Sequence, residues 1–193
     1  MQVTEIGPAL VDSADGRKLA LRAASESLVL LKNVKGFLPL DGNKGRLAAR
    51  KAKVAFIGPH INSTQDLLSA PQYHGSNTLV ESHSPIAVAL RRGWNVSYAK
   101  GVNICDWVPL GYPNMPCTIG KDGKAGPMPP PNTSGIPAAV EVAKAADVAI
   151  LFLGSDQTTE AENFDREGLG LVGAQASTGA CHLARPQHMT RDV

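Results

Sequence analysis

A cluster of carboxylates follows an apolar run in the second half of the chain. It contains five acidic residues in a short stretch: Asp156, Glu160, Glu162, Asp165 and Glu167. If residues 158–163 are extended, Glu160 and Glu162 project to one side, with stems about 6 to 7 Å apart at the rise of a strand. Two neighbouring carboxylates can raise each other's pKa, and such a carboxyl group can act as a general acid near neutral pH. On spacing alone, a solvated loop whose acids only keep it soluble is the better interpretation.

The residues before this cluster predict the strand that positions it. Residues 148–153 are continuously apolar and end at Gly154, as expected for a buried strand of a parallel sheet. The carboxylates therefore follow the carboxyl end of that strand. In open α/β sheets, this is the edge at which ligands bind.

Helices and strands alternate along the rest of the chain. The predicted elements, in order, are a helix over 13–27 with Ser13 or Asp15 as N-cap, a β-prone segment at 28–33, a strand at 53–59, a helix from Ser84 to Gly93, a strand at 94–99 and a helix opened by Pro137. This alternation predicts an α/β layered fold with a largely parallel sheet.

The composition excludes several classes of partner. The 193 residues carry 19 Lys and Arg against 17 Asp and Glu, interspersed along the chain, for a net charge of +2. This balance creates no field that would favour nucleic acid or an anionic membrane. No apolar segment reaches the roughly 18 residues of a membrane-spanning helix, and the N-terminus lacks the basic and apolar regions of a signal peptide. We expect a soluble globular chain with neither nucleic acid nor membrane as a partner.

Metal and cofactor signatures are missing from the sequence. No glycine-rich dinucleotide or phosphate cradle follows any predicted strand. The three cysteines are too few and too irregularly spaced for a zinc site, although Cys105 and Cys117 could pair across a loop. His60, His74 and His83 lack ligand or triad spacing and receive no role. We expect no metal and no organic cofactor.

A long irregular segment occupies residues 101–135. Its seven prolines and six glycines preclude regular structure, and loops of this length are often functional. Trp107 and Tyr112 could stack on a sugar ring, but aromatic residues in such a loop more often anchor it to the body of the domain.

Taken together, four stretches resemble a known family. They occur in the family's order: LALRAASESLVLLKNVKGFLPL, KVAFIGPH, VSYAKGVNIC and AADVAILFLGSDQTTEAENFDREGLGLVGAQ. They are similar to the second, C-terminal domain of glycoside hydrolase family 3, which includes β-glucosidases and β-xylosidases. The most specific match is the pattern G-x-D-Q-[ST]-x-E-x-E-x-x-D-R, from Gly154 to Arg166.

The resemblance implies a fold and an activity. The family's C-terminal domain is an α/β three-layer sandwich with a mostly parallel sheet. A catalytic (β/α)8 barrel precedes it and supplies an aspartate nucleophile, while the sandwich supplies the acid/base glutamate. The first glutamate of the pattern has that role, so the resemblance assigns it to Glu160. The implied protein is an exo-acting, retaining β-xylosidase or β-glucosidase that hydrolyses O-glycosyl bonds of β-linked oligosaccharides or aryl glycosides in cell-wall polysaccharide catabolism.

The resemblance also implies subsidiary sites. Glu162 would tune Glu160 or contact the substrate, and Tyr73 lies where a substrate-binding loop is expected, although the family's glycine and asparagine are replaced there. Trp107 is a further candidate for sugar binding. Asp165 and Arg166 would form a structural ion pair. The family is often secreted, so the resemblance implies an extracellular location.

Departures from the family pattern lead to a competing hypothesis. No barrel sequence precedes residue 6, so the nucleophile is missing and we expect the chain alone to be inactive. Residues 1–175 are interpreted as a truncated domain whose sheet is incomplete at its C-terminal end. Residues 176–193 lack apolar periodicity and are interpreted as a disordered tail from outside the family. The alternative is a non-catalytic product that binds sugar or a barrel-bearing partner, with the barrel supplied in cis or in trans.

Overall fold

The structure is a computed structural model. It describes residues 7, 11–40, 52–64, 81, 83–105, 117, 130–156, 158–160, 165 and 168–178. The chain forms two compact units, Met1–Pro39 and Leu40–Val193.

The first unit contains the predicted N-terminal helix. Helix α1 spans Ala14–Glu26, and the Ser13 hydroxyl accepts a hydrogen bond from the Gly16 amide at 3.1 Å, which confirms Ser13 as the N-cap. Arg17 donates two hydrogen bonds to the Asp12 carboxylate, and these bonds hold the pKa of Asp12 below its ordinary value. A 3₁₀ turn follows at Val34–Gly36.

The β-prone segment at 28–33 is not a strand. Its residues form no ladder within the described part of this unit, and Leu28 and Leu31 are exposed. Apolar β-branched and leucine residues favour an extended backbone, but a strand also needs a partner for its hydrogen bonds. The described residues of the first unit provide no such partner.

The second unit is built on a parallel sheet. Its three described strands are β1 (Lys53–Ile57), β2 (Asn95–Ala99) and β3 (Val148–Leu151). The order is β2-β1-β3, with β1 parallel to both neighbours. Because β1 is central, four of its five residues are buried. Helix α2 (Pro85–Arg91) precedes β2, and helix α3 (Ile136–Lys144) precedes β3.

The two helices cover opposite faces of the sheet. Successive side chains of a strand point to opposite faces, so β1 contributes to two separate clusters. One cluster joins Val54 and Phe56 of β1 to Ile86 of α2, and the other joins Ala55 of β1 to Ala139 of α3. The resulting layers are helix, sheet and helix. This arrangement confirms the predicted α/β fold with three layers and a parallel sheet.

The α2 cluster includes three aromatic rings, whereas the α3 cluster includes three buried alanines. The Phe56 ring lies 4.8 Å from the Phe152 ring and 6.4 Å from Trp94, in edge-to-face geometry with Trp94. On the opposite face, Ala139 and Ala143 meet Ala55 of the sheet. The small residues allow α3 to approach the sheet closely.

Helix α2 begins where its sequence predicts. Ser84 is its N-cap, with the hydroxyl accepting from the Ala87 amide at 3.3 Å, and Pro85 lies in the first turn. The Ser84 hydroxyl also donates to the Asn62 side chain at 2.8 Å. This second bond ties the start of α2 to the segment that leaves β1.

The remaining expectations concern the ends of the chain and the membrane. Residues 175–178 are helical. The predicted boundary between the domain and its tail at residue 175 stays a prediction, because residues 179–193 lie outside the described residues. In the described ranges, no helix has the length and apolar character needed to span a bilayer.

Candidate active site

The candidate site begins where the chain leaves β3. The Phe152 amide donates to the Ile57 carbonyl at 2.7 Å, and the Phe152 carbonyl accepts from the His60 amide at 3.3 Å. These two bonds carry the pairing of β1 and β3 one residue beyond the strand. The backbone then reaches Gly154 at the carboxyl edge of the sheet, as the sequence predicts.

Gly154 is held by the side chain of Gln175. The Gly154 amide donates to Gln175 Oε1 at 2.9 Å, and Gln175 Nε2 donates to the Gly154 carbonyl at 2.7 Å. The same nitrogen donates to the Val172 carbonyl at 2.9 Å. Gln175 is fully buried, with 0% of its surface exposed. All hydrogen-bonding groups of this amide are therefore used on the backbone.

A tight turn follows at residues 156–160. Asp156 Oδ1 accepts from the Thr158 amide at 2.9 Å and also from the Thr158 hydroxyl. The Asp156 carbonyl accepts from the amides of Thr159, at 3.1 Å, and Glu160, at 3.2 Å. The condition considered for residues 158–163, an extended backbone, is therefore not met at residues 158–160. An aspartate side chain that bonds to the backbone two residues later favours a turn over a strand.

The turn presents Glu160 at the surface. The residue is exposed, whereas its neighbour Thr159 is buried with 7% of its surface accessible. The Thr158 carbonyl accepts from the Cys117 amide at 2.5 Å. Cys117 is itself bonded to Cys105, with their Cα atoms 6.1 Å apart, a pairing that the sequence left open. The turn is thus held by Asp156 and by the Cys117 amide, and Glu160 is exposed on it.

The other predicted site residues are mostly beyond the description. Glu162, Tyr73, Trp107 and Arg166 lie outside the described residues, and so does His74. Asp165 is described and exposed, and its ion pair with Arg166 stays a prediction. Of the predicted set, the structure therefore places Glu160 and Asp165.

His60, which received no role from the sequence, lies between Ser63 and Gly154. His60 Nδ1 is 2.9 Å from the hydroxyl of Ser63, which is buried, and the two groups share a hydrogen bond. The other side of the imidazole faces Gly154, because a Cβ atom built on that glycine would lie 3.2 Å from His60 Nε2. The sequence could have indicated this contact, because His60 and Gly154 each follow a predicted strand, and the segments after two adjacent parallel strands meet at one edge of the sheet.

Gln175 also received no role in the sequence. The local sequence shows only that Gln175 is a polar residue directly after Val172 and Ala174, which are buried, at the end of the family-like sequence. The contact with Gly154 spans 21 positions, so no local pattern indicates it.

A cavity opens beside the ends of β1 and β2. Its volume is about 550 Å³, and its lining includes Asn62, Ser63, Tyr98 and Lys100. Within the described ranges, no three His, Cys, Asp or Glu side chains converge as they would around a metal ion. The exposed Glu160 adds a carboxylate to the polar groups at this edge of the sheet.

Comparison with known families assigns the chain. The model of the Glycosyl hydrolase family 3 C-terminal domain matches residues 28–180. The chain belongs to this family. The match includes the sheet, both flanking helices and the turn with Glu160, so the resemblance based on sequence motifs is confirmed.

Curated relatives of this family 3 domain are named as xylosidases. The probable exo-1,4-beta-xylosidase bxlB of Aspergillus terreus is 32% identical over 170 residues, which cover 88% of this chain and 17% of the relative. Beta-D-xylosidase 3 of Arabidopsis thaliana is 29% identical over 170 residues, with the same coverage of 88% and 17%. The chain thus spans about a sixth of the length of these relatives.

Solved structures of family 3 enzymes share the fold. An exo-beta-xylosidase, XlnD, in complex with a xylobiose aziridine activity based probe superimposes with a TM-score of 0.58 at 30% identity, over 86% of this chain and 17% of that one. A Bifidobacterium adolescentis beta-glucosidase superimposes with a TM-score of 0.62 at 27% identity, over 93% and 21% of the two chains.

Proposed function

We propose that this chain is the acid/base domain of an exo-acting, retaining glycosidase of the β-xylosidase or β-glucosidase type. The observation that carries this proposal is the position of Glu160. It is an exposed carboxylate on a hydrogen-bonded turn at the carboxyl edge of the parallel sheet, in a chain that belongs to family 3. That edge is where α/β sheets bind ligands.

The proposed chemistry needs two carboxyl groups about 5 Å apart. In a retaining glycosidase, one carboxylate attacks the anomeric carbon while the other group, as an acid, protonates the leaving oxygen. The acid then becomes a base and activates the water that releases the sugar. Glu160 takes the acid/base role. A (β/α)8 barrel domain, present in cis or in trans, supplies the nucleophile.

The substrate class follows from the relatives. The chain is similar to exo-1,4-beta-xylosidases and to a beta-glucosidase. The proposed substrates are therefore aryl glycosides and the β-linked oligosaccharides of cell-wall polysaccharides. Glu162, Tyr73 and Trp107 are proposed to contact the sugar. The reaction uses no metal or organic cofactor, and the proposed location is extracellular.

The test is Glu160→Gln in a form of the protein in which a barrel domain precedes this chain. The amide keeps the size of the side chain but cannot donate an acidic proton. We expect kcat/KM to fall about 100-fold or more for glycosides with poor leaving groups, within the range typical of general acid catalysis. Activated aryl glycosides need little protonation and should lose much less. Azide, as a small nucleophile, should restore part of the activity with activated substrates.

A matched control is Glu141→Gln. Glu141 lies on the surface of α3 and pairs with Lys144, so the same chemical change there should leave both substrate classes unaffected. Equal losses on both classes for Glu160→Gln would contradict the acid/base assignment. If Glu162→Gln alone discriminated between the leaving groups, the role would belong to Glu162.

The competing proposal is a chain that binds sugar or a barrel-bearing partner without catalysis. The size of the native protein separates the two proposals. An antibody against residues 136–166 should detect a band larger than 20.2 kDa by at least the roughly 250 residues of a barrel. A native band near 20.2 kDa would favour the competing proposal and direct the search to a partner.

A further inference from the structure

Gln175 makes an unusual set of contacts for a buried side chain. Its carbonyl oxygen accepts one hydrogen bond and its amide nitrogen donates two, all to backbone groups. No part of the residue is exposed. A buried polar side chain is costly unless every group is paired, and here the pairing is complete. The contact with Gly154 therefore needs one donor and one acceptor on a side chain with the length of glutamine.

The partner of this amide is the first residue of the acidic motif. Gly154 donates its amide to Gln175 and accepts from it through its carbonyl, at 2.9 and 2.7 Å. This is the pattern that a neighbouring strand would provide. The direct pairing with β1 and its following turn ends at Phe152, so Gln175 holds the backbone beyond the end of that ladder.

Only a short length of chain separates Gly154 from the proposed acid/base residue. Asp156 closes its turn two residues later, and Glu160 donates its amide to the Asp156 carbonyl at 3.2 Å. Besides the contact of its Thr158 carbonyl with the Cys117 amide, the position of the turn depends on where its entry point at Gly154 lies. A carboxyl group that must reach a glycosidic oxygen tolerates little displacement, since an error of about 1 Å can cost 100-fold in rate.

We infer that Gln175 is a positioning residue for catalysis: it fixes the backbone of Gly154 so that the turn at 156–160 presents Glu160 to the sugar. This inference rests on the proposed function of Glu160. It goes further in naming a residue that acts on the acid/base group without touching the substrate.

The inference is tested with Gln175→Met and Gln175→Glu in the barrel-bearing form of the protein. Methionine has similar length but lacks the strong donors and acceptor. We expect it to lower kcat/KM for poor leaving groups about 10- to 100-fold, with a small change in KM and a smaller loss for activated aryl glycosides. A general loss of stability would instead reduce activity on both substrate classes alike.

The glutamate variant adds a pH readout. A protonated carboxyl group offers one donor and one acceptor, which can pair again with the carbonyl and amide of Gly154, whereas a carboxylate has no donor. Activity of Gln175→Glu, relative to wild type at the same pH, should therefore recover towards acidic pH. His60 also lies against Gly154. Gln175→Met keeps His60, so its relative activity should show no such recovery.

A structural measurement keeps the two proposals separate. Hydrogen exchange of the Gly154 amide, measured in the 193-residue chain, should accelerate at least tenfold in Gln175→Met. The matched control is Thr178→Val, which alters a buried residue in the same helical segment and removes its hydroxyl bond to the Ala174 carbonyl. That control should leave Gly154 exchange and leaving-group dependence as in wild type.

The outcomes separate clearly. Faster exchange at Gly154 with selective loss on poor leaving groups supports the inference. Unchanged exchange, or equal losses on both substrate classes, overturns it. If Gln175→Met does not fold, Gln175→Glu decides, because absence of recovery at acidic pH overturns the inference. Failure of Glu160→Gln to discriminate leaving groups would instead overturn the proposed function. The exchange rate of the Gly154 amide would then still show whether Gln175 holds the backbone of Gly154.

Discussion

The segments that leave β1 and β3 start side by side at one edge of the sheet but hold their polar groups differently. After β1, side chains bond to other side chains: His60 to Ser63, and Asn62 to Ser84. After β3, the backbone is held, with Gly154 bonded to Gln175 and the Thr158 carbonyl bonded to the Cys117 amide. Both segments are also held through their main chain, but after β1 polar side chains pair with one another, whereas after β3 the buried Gln175 side chain binds the backbone of Gly154.

This difference indicates which segment is suited to chemistry. A turn whose backbone is fixed can expose a residue such as Glu160 and still hold the Cα atom of that residue in place. The position of the proposed acid/base group therefore depends on residues distant in sequence, and the following substitutions test that dependence.

The largest effect is expected where the two segments touch. Gly58 has a φ of +120°, and a Cβ atom built on it would overlap the carbonyl group of Phe152. Gly58→Ala should therefore strain its own backbone and push the β3 segment away. We expect the free energy of unfolding to fall by about 3 kcal/mol or more, from backbone strain of about 1 to 3 kcal/mol together with the displaced contact. Urea denaturation of the chain measures this loss.

Gly93→Ala is the matched control for that substitution. Gly93 also has a positive φ, of +73°, but nothing lies within 4 Å of its added Cβ. It should show the backbone strain alone, about 1 to 2 kcal/mol. Equal losses at Gly58 and Gly93 would mean that the contact between the two segments contributes nothing.

The next effect concerns the disulfide that anchors the turn. Replacing both Cys105 and Cys117 by serine removes a crosslink that spans 12 positions, and we expect a loss of about 2 to 3 kcal/mol. The amide of residue 117 should exchange faster with solvent, because the crosslink supports its bond to Thr158. Wild type measured under reducing conditions should match the double variant, whose own stability should not respond to the reductant. A stable wild type under reduction would contradict this expectation.

Loss of the acceptor on Asp156 should destabilise the turn at 156–160. Asp156→Ala removes the oxygen that accepts from the Thr158 amide at 2.9 Å, and we expect a loss of about 1 to 2 kcal/mol. Asp156→Asn keeps an acceptor at that position and should lose less than half as much. If both variants were equally unstable, the charge of Asp156 rather than its hydrogen bond would hold the turn. Exchange of the Thr158 amide reports the local effect.

The sequence predicts the sheet and its helices well because the signals for them are local. Apolar runs mark β1 and β3, and the Ser84-Pro85 pair marks the start of α2. The strand propensity of residues 28–33 failed as a guide, since propensity does not provide a pairing partner.

The candidate site was predictable in part. Its location after β3 follows from the parallel sheet, and the family pattern singles out Glu160. The shape of the turn was missed because the side-chain bond of Asp156 overrides an extended backbone. The support from Gln175 and Cys117 was missed because these contacts join residues 21 and 41 positions away from Gly154 and Thr158, respectively. Such contacts follow from the packed fold and leave no periodic pattern in the sequence.

The smallest effect is expected at Ser84, which ties the start of α2 to the segment after β1. Its hydroxyl caps α2 and also donates to Asn62, so Ser84→Ala should cost about 1 kcal/mol in total for the two lost bonds. The matched control is Ser13→Ala, which removes the exposed cap of α1 and no second bond. Ser84→Ala should accelerate exchange in the β1 segment while leaving the Gly154 amide protected. Loss of protection at Gly154 would show that the two segments are coupled more tightly than their separate hydrogen bonds imply.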